Sequence, residues 1–261
     1  MRLSIPSYNR SQIIIKKTIP TLLNLGFNLS DIDLFLFDEQ SKKEYETQII
    51  NEFKSEVNII VTNVLDLGER LNYILNEYYP EGTEVVLIED DIRGIRQGKE
   101  SVANDFFEKA FEICKKENRS IWGISPTNST MFQSEGYSTN FKFIIGTLYG
   151  IIVRHQEDLN VSITYKQDFE RTILYYKKDG GLIRFNDVYC RTTYRVKGGL
   201  GSDKDERLPK ELAACQEMIA KYPYFCYQNK KKEREIKLFQ NSKIVNDARK
   251  RKLEEECLIL D

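Results

Sequence analysis

Four short apolar runs, each closed by polar or acidic groups, recur through the first hundred residues, and this alternation constrains the fold most. Leu3-Ser-Ile-Pro6 ends in Ser7-Tyr-Asn-Arg10, and Asp33-Leu-Phe-Leu-Phe37 ends in Asp38-Glu-Gln-Ser41. Residues 57–61 form the third run, and Glu84-Val-Val-Leu-Ile88 ends in Glu89-Asp-Asp91. Helical patterns separate them. One covers residues 11–25, with Ile14, Ile15, Ile19, Leu22 and Leu23 as its apolar stripe, and Pro20 inside it predicts a kink or a break. Others cover about 43–53 and 69–78. Near-continuous apolar strands separated by helices belong to a parallel sheet covered on both faces. Without a glycine-rich fingerprint, such units predict an open, doubly wound α/β sheet whose ligands sit at the carboxyl ends of the strands.

The later sequence is less regular. A helix is expected at about 104–116, strands at 120–125, 141–145, 148–153 and 182–188, and a helix carrying Tyr165-Lys-Gln-Asp-Phe-Glu170. Beyond Gly198-Gly-Leu-Gly201 the chain turns to a tail rich in Lys and Arg, expected as helical. This divides the 261 residues into a domain at 1–200, with halves at about 1–95 and 96–200, and a basic helical extension at 201–261. With 41% hydrophobic and 30% charged residues the chain is globular. Its formal net charge of −1 means that a polyanion must be met by a local patch. No run of 18 apolar residues and no apolar leader are present, which predicts a cytoplasmic protein without a membrane partner. Cys114, Cys190, Cys215, Cys226 and Cys257 are scattered, so neither a disulfide framework nor a zinc site is indicated. A single histidine, His155, argues against Ser-His-Asp, Cys-His and multi-histidine metal chemistry.

The chemistry must then rest on oxygen groups. In Glu89-Asp90-Asp91, three adjacent carboxylates raise one another's proton affinity unless a cation sits among them. Oxygen ligands suit Mg²⁺ or Mn²⁺, which are held by one or two carboxylates together with substrate phosphates. A solvated acidic turn is the plainer reading of the same triplet.

Ile5-Pro-Ser-Tyr-Asn-Arg10, Phe37-Asp-Glu-Gln-Ser41, Asp66-Leu-Gly-Glu-Arg-Leu-Asn72 and Leu87-Ile-Glu-Asp-Asp-Ile92 together resemble the N-terminal half of a GT-A glycosyltransferase. The resemblance covers about residues 2–95 and departs from the family's DxD metal motif at Glu89, where the first Asp would stand. It implies a GT-A-like, Rossmann-like fold and a UDP-sugar donor. Pro6, Tyr8 and Arg10 would line the nucleoside end and Asp38 would accept from the uracil or ribose. Arg70 and Asn72 would approach the diphosphate or sugar, and Asp90 the donor sugar or ribose. Asp91, with Glu89, would ligate Mn²⁺ or Mg²⁺. In the second half, Gly146-Thr-Leu-Tyr-Gly150 followed by Lys166-Gln-Asp-Phe-Glu170 resembles the segment that carries the base of inverting members. It makes Asp168 the expected base for the acceptor hydroxyl and Glu170 the fallback. His155, in a polar turn, is not expected to ligate the metal.

The compact size and the Arg/Gly-Gly-x-Gly segment before a Tyr-Pro-containing tail also resemble the TET/JBP-associated glycosyltransferases, which include bacteriophage relatives that modify hydroxymethylated pyrimidines in DNA. That resemblance implies a base such as 5-hydroxymethylcytosine as acceptor, flipped out of the stack. Arg191, Arg195, Lys197, Gly198, Gly199, Lys230, Lys231 and Lys232 would then contact the DNA. A glycan, lipid or protein acceptor is the alternative, and a non-catalytic scaffold that binds nucleic acid is a second.

Overall fold

The computed structural model describes residues 1–192 and 204–239. The first half alternates as the sequence predicts. β1 (Arg2–Pro6) leads through α1 (Ser11–Lys16) and α2 (Thr18–Leu23) to β2 (Ile32–Leu36) and α3 (Glu39–Phe53). β3 (Asn58–Val61), α4 (Leu67–Tyr73) and β4 (Glu84–Ile88) follow. The second half runs through β5 (Ile92–Gln97), β6 (Glu100–Ser101), α5 (Phe106–Lys116), β7 (Ile121–Gly123), β8 (Tyr137–Ser138) and β9 (Leu148–Ile152). Then come α6 (Gln167–Asp179), β10 (Ile183–Phe185), β11 (Val188–Thr192), α7 (Lys204–Lys221) and the hairpin of β12 (Cys226–Gln228) and β13 (Ile236–Leu238).

Eight strands form one sheet in the order β3-β2-β1-β4-β9-β7-β10-β8. β1 pairs in parallel with both β2 and β4, so the strand order reverses beside β1 and opens a crevice at its carboxyl end. Side chains alternate across the sheet. Leu34, Leu36, Val86 and Ile88 enter a core with Ile14, Ile19, Tyr45, Phe107 and Trp122. Phe35, Val85 and Leu87 enter another with Leu71, Tyr149, Ile173 and Met218. Both faces are therefore covered, which is why the strand runs read as apolar throughout.

Several expectations are corrected in detail. The break in the first helix falls at Lys17 (φ −132°, ψ −73°) and not at Pro20. Pro20 lies in the first turn of α2, where its missing N–H costs little. β9 runs antiparallel between β4 and β7. Residues 141–145 are irregular instead of a strand, and the Ile144 N–H donates to Thr172 Oγ1 of α6 at 3.1 Å rather than to a neighbouring strand. The run 182–188 divides into β10 in the large sheet and the start of β11, which pairs with β5 in a small three-stranded sheet. Past α7, Pro223 stops the helix, and Ile236 and Leu238 alternate with exposed Lys237 in a strand. α7 packs against the rest of the fold: Ala214, Cys215 and Met218 lie in the same core as Tyr149 and Ile173.

Candidate functional site

A cleft of about 1270 Å³ opens at the carboxyl ends of β1 and β4, walled by α4, α6, α7 and the segment before β9. The acidic turn after β4 forms its floor. Thr18, fully buried, fastens that turn: its hydroxyl donates to the Glu89 carbonyl at 3.1 Å and accepts from the Ile92 N–H at 2.9 Å. The Glu89 N–H donates to the Thr147 carbonyl at 3.0 Å, which ties the turn to β9's leading segment.

The loop after β1 packs against this turn through one chain of hydrogen bonds. Ser7 Oγ donates to Asp90 Oδ2 at 2.6 Å, and Arg10 Nη1 reaches Asp90 Oδ1 at 3.0 Å. Since the Ser7 proton is committed to Asp90, the Tyr45 hydroxyl at 2.9 Å is the donor to Ser7 Oγ, and it accepts from the Arg10 N–H at 2.8 Å. Burial pushes the Tyr45 hydroxyl up to about 12, so it remains a donor throughout the neutral range. Both oxygens of Asp90 are thus engaged. Asp91 differs: 8% exposed, it keeps Oδ1 buried without a hydrogen-bond partner. Burial and the neighbouring Asp90 raise its proton affinity. Glu89 meets water through the cleft mouth but stands deep between the walls. Lost solvation, then the carboxylates of Asp91, Asp90 and Asp168, push it up to about 7.

Across the cleft, Asp168 lies in the first turn of α6. Gly146, in the turn before β9, lies against Asp168: a Cβ there would meet the Asp168 Cβ at 3.4 Å, an ordinary packing contact. Burial raises the Asp168 carboxyl, and Arg171 offsets part of that rise. Arg171 is 3% exposed and lies over the Tyr149 ring, 4.5 Å from its centroid. Its Nη2 and the Tyr149 hydroxyl are buried without hydrogen-bond partners, and both residues line the cleft. The sequence reading named neither role. The spacing of three from Asp168, which puts both on one helix face, was the available signal for Arg171.

Of the other expected residues, Pro6, Tyr8, Arg10 and Arg70 line the cleft. Tyr8 meets Phe37 edge-on at 6.4 Å. Arg70, 1% exposed, donates to the Val64 and Ser7 carbonyls and braces the β1 loop from beneath. Three residues have structural duties elsewhere. Asp38 caps α3 through the Ser41 N–H at 2.7 Å, which lowers its pKa. Asn72 clamps Val161 through both its N–H and its carbonyl. Glu170 is fully buried and turned from the cleft, accepting from Ser162, Ile163, Lys221 and Tyr222. His155 bonds to the Tyr79 carbonyl at 2.8 Å. Arg191 lines a neighbouring cavity, and Lys230, Lys231 and Lys232 are exposed on the hairpin turn, Lys232 pairing with Glu235. Arg195, Lys197, Gly198 and Gly199 lie outside the described residues.

No group of three or more His, Cys, Asp or Glu side chains arranged to hold a metal occurs among the described residues. The donor set still fits a hard cation held by few protein ligands. Asp91 offers an unpartnered buried oxygen, the exposed Glu89 carboxylate lines the same cleft, and substrate phosphates complete such sites in general.

Neither a family model nor a curated protein matches the chain. Solved structures do. S. aureus TarS 1–349 matches with a TM-score of 0.50 at 13% identity, covering 84% of this chain and 66% of that one. Mannosyltransferase PcManGT from Pyrobaculum calidifontis, in complex with GDP-Man and Mn²⁺, matches with a TM-score of 0.53 at 14% identity. The match covers 84% of this chain and 64% of that one. The fold is GT-A-like. The chain spans just under two thirds of the length of each of these structures.

Proposed function

We propose that the chain transfers a sugar from a nucleotide-sugar donor, with a divalent cation, to an acceptor hydroxyl. The observation that carries this reading is the pairing of Asp91, with its unpartnered buried oxygen, and Asp168 in one cleft at the strand-order reversal. The mannosyltransferase complex with GDP-Man and Mn²⁺, alike in fold, supports the same donor chemistry.

In this reading Pro6 and Tyr8 border the nucleoside, while Asp90 holds Arg10 in place beside it. Asp91 and Glu89 hold Mn²⁺ or Mg²⁺, which when bound neutralises the charge that grows on the leaving diphosphate. Asp168 takes the acceptor's proton as its oxygen bonds to the anomeric carbon and the bond to the diphosphate breaks. Arg171 keeps Asp168 ionised despite its burial, and α7 narrows the cleft to keep water from competing. One displacement of this kind inverts the anomeric centre.

The finer reading is a UDP-sugar as donor and the hydroxyl of a hydroxymethylated pyrimidine in DNA as acceptor. Its support is the basic hairpin turn of Lys230, Lys231 and Lys232, fastened beside α6 where Lys166 Nζ donates to the Arg234 carbonyl at 3.1 Å. The test is a panel of UDP- and GDP-sugars with Mn²⁺, offered plain, hydroxymethylated and glucosylated DNA, with nucleosides read by mass spectrometry. Sugar on a hydroxymethylated base is the expected result. Donor hydrolysis with no DNA product overturns the acceptor, and neither hydrolysis nor transfer overturns the transferase.

A further inference from the structure

Beside the cleft, which carries charges of both signs, lies a second cavity of about 600 Å³ whose charged lining among the described residues is basic alone. The cleft floor carries Glu89, Asp90 and Asp91, with Asp168 across from them. The cavity wall carries Arg93 and Arg191 and, among the described residues, no Asp or Glu. The two spaces meet, because Ile145, Thr147 and Thr192 line both. Thr147 is the residue whose carbonyl holds the Glu89 N–H, so the junction lies against the acidic turn itself.

An irregularity in the small sheet gives both arginines to this wall. Arg191 on β11 pairs with Gly94 on β5, but Thr192 pairs with Ile92, which leaves Arg93 as an extra residue. In an unbroken ladder Arg93, adjacent to Gly94, would point to the face opposite Arg191. A bulge re-aims side chains, and here both arginines line one cavity. Both residues are exposed, and among the described residues neither forms an ion pair. Thr127 and Asn128 line the same cavity, and the Thr127 N–H donates to Ser125 Oγ at 3.4 Å.

Two guanidinium forks with no ion pair among the described residues, beside hydrogen-bonding groups, suit a tetrahedral oxyanion, since each fork meets two phosphate oxygens at once. Resting on the transferase reading, we propose that this cavity binds a phosphate carried by the acceptor. That phosphate anchors the acceptor while its hydroxyl crosses the Thr147 junction towards Asp168. It is a backbone phosphodiester if the acceptor is DNA and a phosphomonoester if the acceptor is a small phosphorylated alcohol.

The test compares wild type with Arg93→Gln, Arg191→Gln and the double variant, with unchanged melting temperatures as the folding control. One arm measures binding of a hydroxymethylcytosine oligonucleotide by fluorescence anisotropy between 50 and 200 mM salt. The slope of log affinity against log salt should fall by about 0.7–0.9 per arginine removed. The other arm titrates inorganic phosphate and glycerol phosphate by calorimetry, with at least a tenfold loss expected in the double variant. An arginine-dependent slope supports the proposal with DNA as the source. Arginine-dependent phosphate binding without oligonucleotide binding supports the proposal and overturns the DNA reading. Oligonucleotide binding that none of the variants alters, with no phosphate binding, overturns the proposal and leaves the DNA reading standing. A wild type that binds no probe overturns it as well.

Discussion

Truncating Glu170 to alanine should loosen the wall behind the cleft and leave its floor in place. The carboxylate is fully buried and accepts from Ser162 N at 2.7 Å, Ile163 N at 2.8 Å, Tyr222 OH at 2.8 Å and Lys221 Nζ at 2.9 Å. Removing it orphans two amides and a phenol, and each buried orphan costs about 1–3 kcal/mol. Lys221 adds little, because its side chain is 45% exposed and water replaces its partner. Water entering beside Lys221 also relieves part of the amide cost. The net loss is then about 3–5 kcal/mol, the lower part of the range for three such orphaned groups. At roughly 2–4 °C per kcal/mol for a chain of this size, the thermal midpoint falls by on the order of 10 °C. The pH dependence has a definite sign. Burial alone would raise the Glu170 carboxyl, but the hydrogen bonds from Lys221, Ser162, Ile163 and Tyr222 outweigh it and hold the group below the ordinary 4.5. A depressed folded value adds stability that is complete above the unfolded value and disappears as pH falls through the folded one. Wild type therefore loses this contribution below about pH 4.5, whereas Glu170→Gln, with nothing to protonate, loses none there. Differential scanning calorimetry of the three proteins from pH 7 to 3 measures both effects. An alanine variant that melts with wild type yet has lost all transfer would make Glu170 catalytic and refute the argument.

Asp91→Asn should abolish the stabilisation that UDP with Mn²⁺ gives wild type, about 2.7 kcal/mol when ligand is at 100 times its Kd; thermal shift with and without EDTA reads it. Asp168→Asn should keep UDP binding but slow transfer by about 10²–10⁴-fold. Because burial raises Asp168 and the base acts ionised, transfer should fall with decreasing pH at a value above the ordinary 3.8, and Arg171→Met should move that limb higher still. Rate–pH profiles of wild type and Arg171→Met check the direction. Gly150→Ala would set a Cβ 2.1 Å from Trp122 Nε1, overpacking the contact between β9 and β7 at a cost of about 1–3 kcal/mol or more, which urea unfolding will show.

The parts of the molecule legible in the sequence are those governed by short periods. Leu34, Phe35 and Leu36 announce a strand buried on both faces because successive side chains enter different cores. The acidic turn after Ile88 is equally plain, since it follows such a strand directly. Glu170 was separable from Asp168 in principle. Two helical residues apart means about 200° around the axis, so both cannot face one cleft. Tyr149 was out of reach, because its place depends on β9 entering antiparallel between β4 and β7. No local pattern announces that choice of neighbour. Arg93 was hidden for a different reason: a one-residue irregularity decides its direction, and only the register of β11 on β5 reveals it.

The charge pattern of the cleft follows from how its carboxylates are partnered. Asp90 is bound to Arg10 and Ser7, so its charge is met inside the protein and its geometry is fixed. Asp168 shares a helix face with Arg171, whose own surplus donor is buried against Tyr149. At Glu89 and Asp91 desolvation outweighs the relief that Arg10 gives both and Lys17 gives Asp91, so it acts against the charge of each. Two carboxylates together carry the charge that one divalent cation cancels, and a diphosphate can share that cation from the open side. On the proposed reading α7 would matter electrically as well as sterically, for Lys210 lines the same cleft, beside Arg207 that pairs with Glu211, and would offer a leaving diphosphate a further source of positive charge.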